Sequence, residues 1–558
     1  MVSGDIDARP ATSGTRRALA RIDGWKVAGI TLALLLFAPV AAVFVAAAQP
    51  SDGLWPHLVA TVLPRYIANT LILMLGVGAL SVAFGVTTAW VVFRYDFAGR
   101  RILEWCLLLP AAVPAYIVAY TLTDFLEFAG PVQGALRDLF GWRSARDYWF
   151  PDIRSMGGAI LVMGGALYPY VYIMVRTAFM QTPSSLFEVS EIYGRRLSTS
   201  VAIPLARPAL VAGLALVLME TISDFGTVEY FSIETLTLGI FNVWLGQDSL
   251  PAAAQISIIC FLFIVALLIV EQLARARKLY GDTTGRARTL RRERVTGTKA
   301  MACIAICLLP ISIGFILPVG VLLSFVVRGY SIVFDVATVA AMGNALLVAG
   351  SVAALVMATA MVLGIVATYR GGSRFRLLTR FASAGYAFPG TILAIGVVTA
   401  AGLLDAGFAR MATVLGLPGQ SGLLTGTVAL VIIACAVRFQ AIGYGAVNSG
   451  LGRLPGNMMA ASRSLGRTFF QSVREVIAPL LWRTLIAGGL LVFVDVMKEL
   501  PMTLLLRPFN FDTLATYVYQ FAKDELLEEA ALPALMIVAT GLIPVIVMNT
   551  ALDRLTRR

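Results

Sequence analysis

Glu220 and Asp224, four residues apart in LMETISDFG, interrupt an apolar run, and Asp495 and Glu499 repeat that spacing in FVDVMKELP. A separation of four places both carboxylates of a pair on one helix face. Acids inside membrane-length apolar helices are costly, so they mark a candidate substrate pathway. Hard oxygen ligands suit a highly charged cation, held transiently or drawn in by the field alone. The structural alternative is that these acids pair with Lys498, three residues from Asp495, or cap broken helix ends. A second acidic set, Glu229, Glu234, Asp512, Asp524 and Glu525, follows in segments 227–251 and 501–529. It offers either a docking face for a partner with a basic surface patch or simply a solvated loop.

Other chemistry is excluded by what the chain lacks. With one histidine, His57, no Ser/His/Asp or Cys/His set can be assembled. The five cysteines (Cys106, Cys260, Cys303, Cys307, Cys435) fall in apolar runs and read as packing residues. A phosphate-binding loop needs lysine after glycine, and none of Lys26, Lys278, Lys299, Lys498 and Lys523 follows one. The chain is therefore not an enzyme and holds no cofactor of its own; ATP and Mg, if used, belong to another subunit.

The elements that must carry these residues are membrane helices. Of the 558 residues, 58% are hydrophobic and 14% charged, against about 25% charged in soluble domains. Apolar runs near the length of a bilayer-crossing helix are expected at 24–49, 68–94, 103–125, 156–179, 207–226, 252–271, 300–327, 343–369, 378–402, 423–446, 482–500 and 531–552. The fold expected is all-α, with twelve transmembrane helices. The net charge of +12 does not point to nucleic acid, because the arginines sit in short loops and termini. Arg9, Arg16, Arg17 and Arg21, then Arg94, Arg100 and Arg101, the 275–299 segment, Arg370, Arg374, Arg376 and Arg380, then Arg463, Arg467 and Arg474, and Arg557 and Arg558 all fall on one side if both termini are cytoplasmic. Basic residues there also meet lipid headgroups.

Residues 275–299, with nine basic residues, form the one long polar run between spans. The expected organisation is an N-terminal tail over 1–22, a first six-helix repeat over 23–272, a linker over 273–299 and a second repeat over 300–558. Asn69 and Asn344, Pro114 and Pro389, Pro204 and Pro479, Glu220 and Asp495, and Asp224 and Glu499 are each 275 positions apart. An even number of spans per repeat makes the repeats parallel, related by a pseudo-two-fold along the membrane normal.

Two loops also recur: EVSEIYGRRLSTSVAIPLARPAL (188–210) and AASRSLGRTFFQSVREVIAPLL (460–481). Glu188, Gly194 and Pro204 in the first, and Ala460, Gly466 and Pro479 in the second, resemble the EAA loop of bacterial ABC importer permeases. That resemblance implies a short coupling helix seated in an ATPase cleft, with Glu188, Gly194, Arg195, Arg196, Ala460, Arg463, Gly466 and Arg467 at the docking points. The segments 219–244 and 493–535 resemble fused twelve-span permeases of ferric-iron ABC importers. The resemblance implies a type I importer fold in a bacterial inner membrane and alternating access. It also implies two copies of an ABC ATPase, a periplasmic or surface substrate-binding protein, and iron as the cation met by Glu220, Asp224, Asp495 and Glu499. Relatives on this branch handle thiamine, sulfate or polyamines, so the same machine with another small solute stays open, although the acids argue against an anion. An ion-gradient-driven secondary transporter also fits two parallel repeats, but the paired loops speak against it. The loops are unequal: ten residues separate Gly194 from Pro204 and thirteen separate Gly466 from Pro479, and Ala460 stands where Glu is usual.

Overall fold

The computed structural model describes residues 23–275, 292–329, 335–383, 385–415 and 422–556. The expected tail and most of the expected linker lie outside the described residues. The first repeat runs α1 (Gly24–Ala47), α2 (Leu54–Thr61), α3 (Leu63–Arg94), α4 (Arg100–Cys106), α5 (Ala115–Leu126), α6 (Pro131–Phe140), α7 (Met156–Gln181), α8 (Ser184–Ile192), α9 (Ile203–Ser223), α10 (Gly226–Tyr230), α11 (Leu236–Phe241) and α12 (Leu250–Arg275). The second runs α13 (Gly297–Ile311), α14 (Leu317–Val327), α15 (Val336–Tyr369), α16 (Ser373–Ala382), α17 (Gly390–Val414), α18 (Val428–Leu451), α19 (Met458–Ser464), α20 (Phe469–Ser472), α21 (Ala478–Met497), α22 (Pro501–Leu506), α23 (Leu514–Lys523) and α24 (Ala531–Thr556).

Among the described residues ten helices are long and apolar enough to cross a membrane, or eleven if one bent pair counts as a span. The expected twelve are not reproduced as twelve straight rods, and at two of them proline is the reason. Pro114 and Pro389 lack an N–H and fix φ, so each ends the preceding turn and starts a new helix. The expected span 103–125 is thus α4, a 3₁₀ turn over Leu109–Ala112 and α5, with Arg100–Ala112 bent by 99° from Ala115–Phe140. The expected span 378–402 likewise breaks, and the crossing helix is α17, starting at Gly390. The expected twelfth span is α24, whose apolar stretch is described as far as Ile546.

Each repeat has the same core. α3, α7 and α9 pack on one another in the first, and α15, α18 and α21 do so in the second. The repeats interlock: α1 packs along α17, and α14 packs against α5 and α24. Beside this core, β1 (Tyr95–Asp96) and β2 (Glu293–Arg294) pair in parallel. Arg94 joins Glu293 at 3.4 Å and Glu191 of α8 at 3.3 Å. Nearby, the Glu104 carboxylate accepts from Arg100 at 2.6 Å and from Arg176, a buried cluster that fixes α4 against α7.

Candidate functional site: a charged cavity between the repeats

α9 and α21 each begin with a proline in the first turn and end just before a carboxylate, Asp224 and Glu499. Pro204 and Pro479 occupy the first turn of these helices, where a missing N–H costs nothing. At the other end Asp224 caps α10, accepting from the Thr227 N–H at 2.9 Å, the Val228 N–H at 3.3 Å and the Thr227 hydroxyl at 3.1 Å. Glu499 does the same for α22, accepting from the N–H groups of Met502 and Thr503 at 3.0 Å each and from the Thr503 hydroxyl at 2.9 Å. The equivalence seen in the spacing is therefore an equivalence of hydrogen bonds.

These two ends, the break at Pro114 and Tyr386, just ahead of the break at Pro389, line a cavity of about 150 Å³. All four sequence-predicted acids, Glu220, Asp224, Asp495 and Glu499, line it. Each is already engaged: Glu220 accepts from the Tyr386 hydroxyl at 2.7 Å, Asp495 pairs with Lys498 at 3.2 Å, and Glu499 also pairs with Arg438 at 3.2 Å. Capping and ion pairing, the structural alternative, thus describe Asp224, Asp495 and Glu499, while their position on the cavity is shared by all four. Among the described residues no three His, Cys, Asp or Glu side chains are grouped to hold a metal ion.

Sequence reasoning missed Arg438, Tyr116 and Tyr386, which line the same cavity. A signal existed for Arg438: one arginine in the run VALVIIACAVRF is as costly as an acid there. Gly390 makes room for its ion pair, since an added Cβ would lie 2.7 Å from Arg438 Nη1 and 3.2 Å from Glu499 Oε1. In YPYVY, Tyr170 lines the cavity, whereas Tyr168 and Tyr172 are buried and donate to the carbonyls of Leu107 at 2.9 Å and Glu104 at 3.3 Å.

The second predicted set is mostly occupied. Glu229 accepts from Tyr519 and pairs with Lys523 at 3.2 Å; Glu234 pairs with Arg65, Asp512 with Arg507, and Glu525 with Arg154 at 3.1 Å. Asp524, at the end of α23, is exposed. Two of these pairs, Glu229 with Lys523 and Glu525 with Arg154, join one repeat to the other, and Arg154 is itself held within the first repeat by Glu127 at 2.5 Å and by the Tyr230 ring, 4.9 Å away.

The two loops lie at the far ends of α9 and α21. Gly194 and Gly466 both have left-handed backbone, with φ of 62° and 85°, a region that favours glycine. The asymmetry is local. After Gly466, Thr468 and Gln471 form a capping box that starts the extra turn α20, whereas after Gly194 the chain passes directly into a π turn over Ser198–Ala202. Glu188, Arg195, Arg196, Ala460, Arg463 and Arg467 are exposed on these loops, and Arg467 pairs with Glu475. Beside them Ile192, Tyr193 and Leu465 are 82, 76 and 83% exposed. That gives an apolar centre with a charged rim, the anatomy of a protein interface.

Two fused helical repeats, a shared charged cavity and an exposed glycine-turned loop on each repeat define a membrane permease built from two halves. Residues 81–279 and 360–558 each match the family described as binding-protein-dependent transport system inner membrane component, and the chain belongs to that family. Over 493 residues it is 24% identical to the Fe(3+)-transport system permease protein FbpB 2 of Haemophilus influenzae, covering 87% of this chain and 89% of that protein. It is also 26% identical over 205 residues to the molybdenum transport system permease protein ModB of Escherichia coli, covering 35% of this chain and 86% of the relative. A sulfate transport system permease protein, CysT of Escherichia coli, is 27% identical over 237 residues, covering 40% and 81%.

Proposed function

We propose that this chain is the membrane permease of an ATP-driven importer that takes ferric iron from a substrate-binding protein and passes it through the cavity between the repeats. The observation that carries the reading is the convergence of four carboxylates, two from each repeat, on that cavity. Two relatives matched along most of the chain are named as ferric-iron transport permeases, which favours iron over thiamine or a polyamine. Two ATPase subunits seat on the loops at Gly194 and Gly466, on the cytoplasmic side with both termini. α9, 21 residues long, spans about 30 Å at 1.5 Å per residue, and α21 is similar. Each is a rod joining a docking loop to the cavity, so drawing the loops together on ATP tilts both cavity walls. The external acids contribute to binding-protein docking mainly through Asp524, since their companions are paired within the chain.

A second reading, an oxyanion importer, is favoured by Arg438 and Lys498 in the cavity and by the molybdate and sulfate relatives. The test is ATP-driven uptake in proteoliposomes holding the permease, its ATPase and the binding protein loaded in turn with ferric iron, molybdate, sulfate, thiamine and a polyamine. Iron uptake above all others is expected; selective uptake of another cargo overturns the assignment. ATP-independent uptake driven by an ion gradient would replace the machine itself.

A further inference from the structure

The cavity is two-fold in its backbone and lopsided in its charge. Positions 275 apart line opposite walls, so Met163 and Ser223 of the first repeat stand where Arg438 and Lys498 stand in the second, and all four line the cavity. The first wall therefore carries two carboxylates, Glu220 and Asp224, and no cation. The second carries two carboxylates and two cations.

Those cations have donors to spare. Lys498 offers three N–H donors and, among the described residues, pairs with Asp495 alone; Arg438 offers five and pairs with Glu499. Arg438 is 8% exposed, and its Nε has no acceptor among the described residues. The Tyr116 hydroxyl, on a residue 5% exposed that also lines the cavity, likewise has no partner among the described residues. Buried donors without acceptors are costly and uncommon in native proteins, and a guanidinium beside an ammonium and a phenol is a donor set suited to a small oxyanion.

We propose that the second-repeat wall, Arg438 and Lys498 with Tyr116 opposite, is an oxyanion subsite, and that the cargo cation crosses together with a small bound oxyanion such as phosphate or carbonate. The metal then faces Glu220 and Asp224, and the anion's free oxygens face the spare donors. The uncompensated charge lies on the first wall, at Glu220 and Asp224, where the cation is held; on the second wall each cation is matched by a carboxylate, and it is the unused N–H donors there that an anion capping the metal would satisfy. This rests on the iron reading for the cation, while the subsite itself does not.

The experiment separates the two. The full chain, in lipid nanodiscs, is titrated with radiolabelled inorganic phosphate and no metal. Saturable retention is expected, weakened at least tenfold in Lys498→Gln. Arg438→Gln should behave alike but strands Glu499, so Lys498→Gln, at a half-buried position, is the decisive variant. In proteoliposomes with the loaded binding protein, labelled iron and labelled anion should then accumulate in constant ratio. No saturable retention, retention unchanged in Lys498→Gln, or iron accumulating without the anion overturns the proposal. Phosphate retention that Lys498→Gln abolishes, without any iron uptake, supports the subsite and counts against the iron reading.

Discussion

Replacing Arg438 by Gln removes one member of a buried ion pair and leaves Glu499 charged in an apolar setting. Breaking such a pair costs about 3 to 5 kcal/mol. Glu499 keeps its three hydrogen bonds from the start of α22, so the loss should fall near the lower end, about 3 kcal/mol. Glu499→Gln is worse, because it removes the charge holding Arg438 and weakens the cap of α22 together; about 5 kcal/mol is expected. The double variant should then lose less than the sum, with a coupling of about 2 to 3 kcal/mol. Gly390→Ala, which presses a methyl onto the pair, should reproduce part of the Arg438→Gln loss without removing a charge. The assay is reversible denaturation of the purified chain in mixed micelles, read by tryptophan fluorescence across the four members of the cycle. Single losses that add to within about 0.5 kcal/mol would show that the pair is not energetically coupled, and the account of the cavity wall would fail.

Glu220→Gln keeps an acceptor for Tyr386, so it should assemble at the parental level and still lose cation uptake; parental uptake would remove Glu220 from the pathway. Asp224→Asn keeps an acceptor for the start of α10 but loses the charge there, so it should cost up to about 1 kcal/mol and lower assembly slightly as well as uptake, checked by size-exclusion yield beside transport. Alanine at Gly194 and Gly466, with no neighbour near either added Cβ, should cost only about 1 to 2 kcal/mol of backbone strain each. Combined with alanine at Arg195, Arg196, Arg463 and Arg467, it should release the ATPase from the purified complex; full retention refutes the docking assignment. Glu188→Ala should lower coupled ATPase activity more than any change at Ala460, and equal effects would refute the unequal docking.

The pattern of the chain reached the architecture because duplication writes itself in spacing. Asn69 and Asn344, 275 apart, each donate at 3.0 Å to a carbonyl two residues ahead of an equivalent helix, Glu234 before α11 and Asp512 before α23. The four pathway acids were legible because a charge in an apolar run stands out. Their partners were not, since Arg438 and Tyr386 reach Glu499 and Glu220 across helices distant in sequence. Helix breaks were half legible: Pro114 and Pro389 announced themselves, but whether the chain beyond stays straight depended on packing. In the second repeat α17 continues for 25 residues. In the first the equivalent stretch divides into α5 and α6, and Glu127, in the gap, is held by Arg154.

The crossing of α1 onto α17, and of α14 onto α5, gives the fusion of the two repeats an evolutionary meaning. Each half lends its leading helix to the other, so neither is a self-sufficient module, and a permease of this design needs a partner half to close its bundle. Once both halves are encoded in one polypeptide, self-pairing of either is removed and their left–right identity is inherited. Mutations can then accumulate on one side without being copied onto its mirror. Arg438, Lys498 and the added turn α20 have no counterpart in the first repeat, as expected of a gene duplication free to specialise. Joined chains of this kind should carry greater left–right divergence at the cavity and at the ATPase seats than transporters assembled from two copies of one half-length chain.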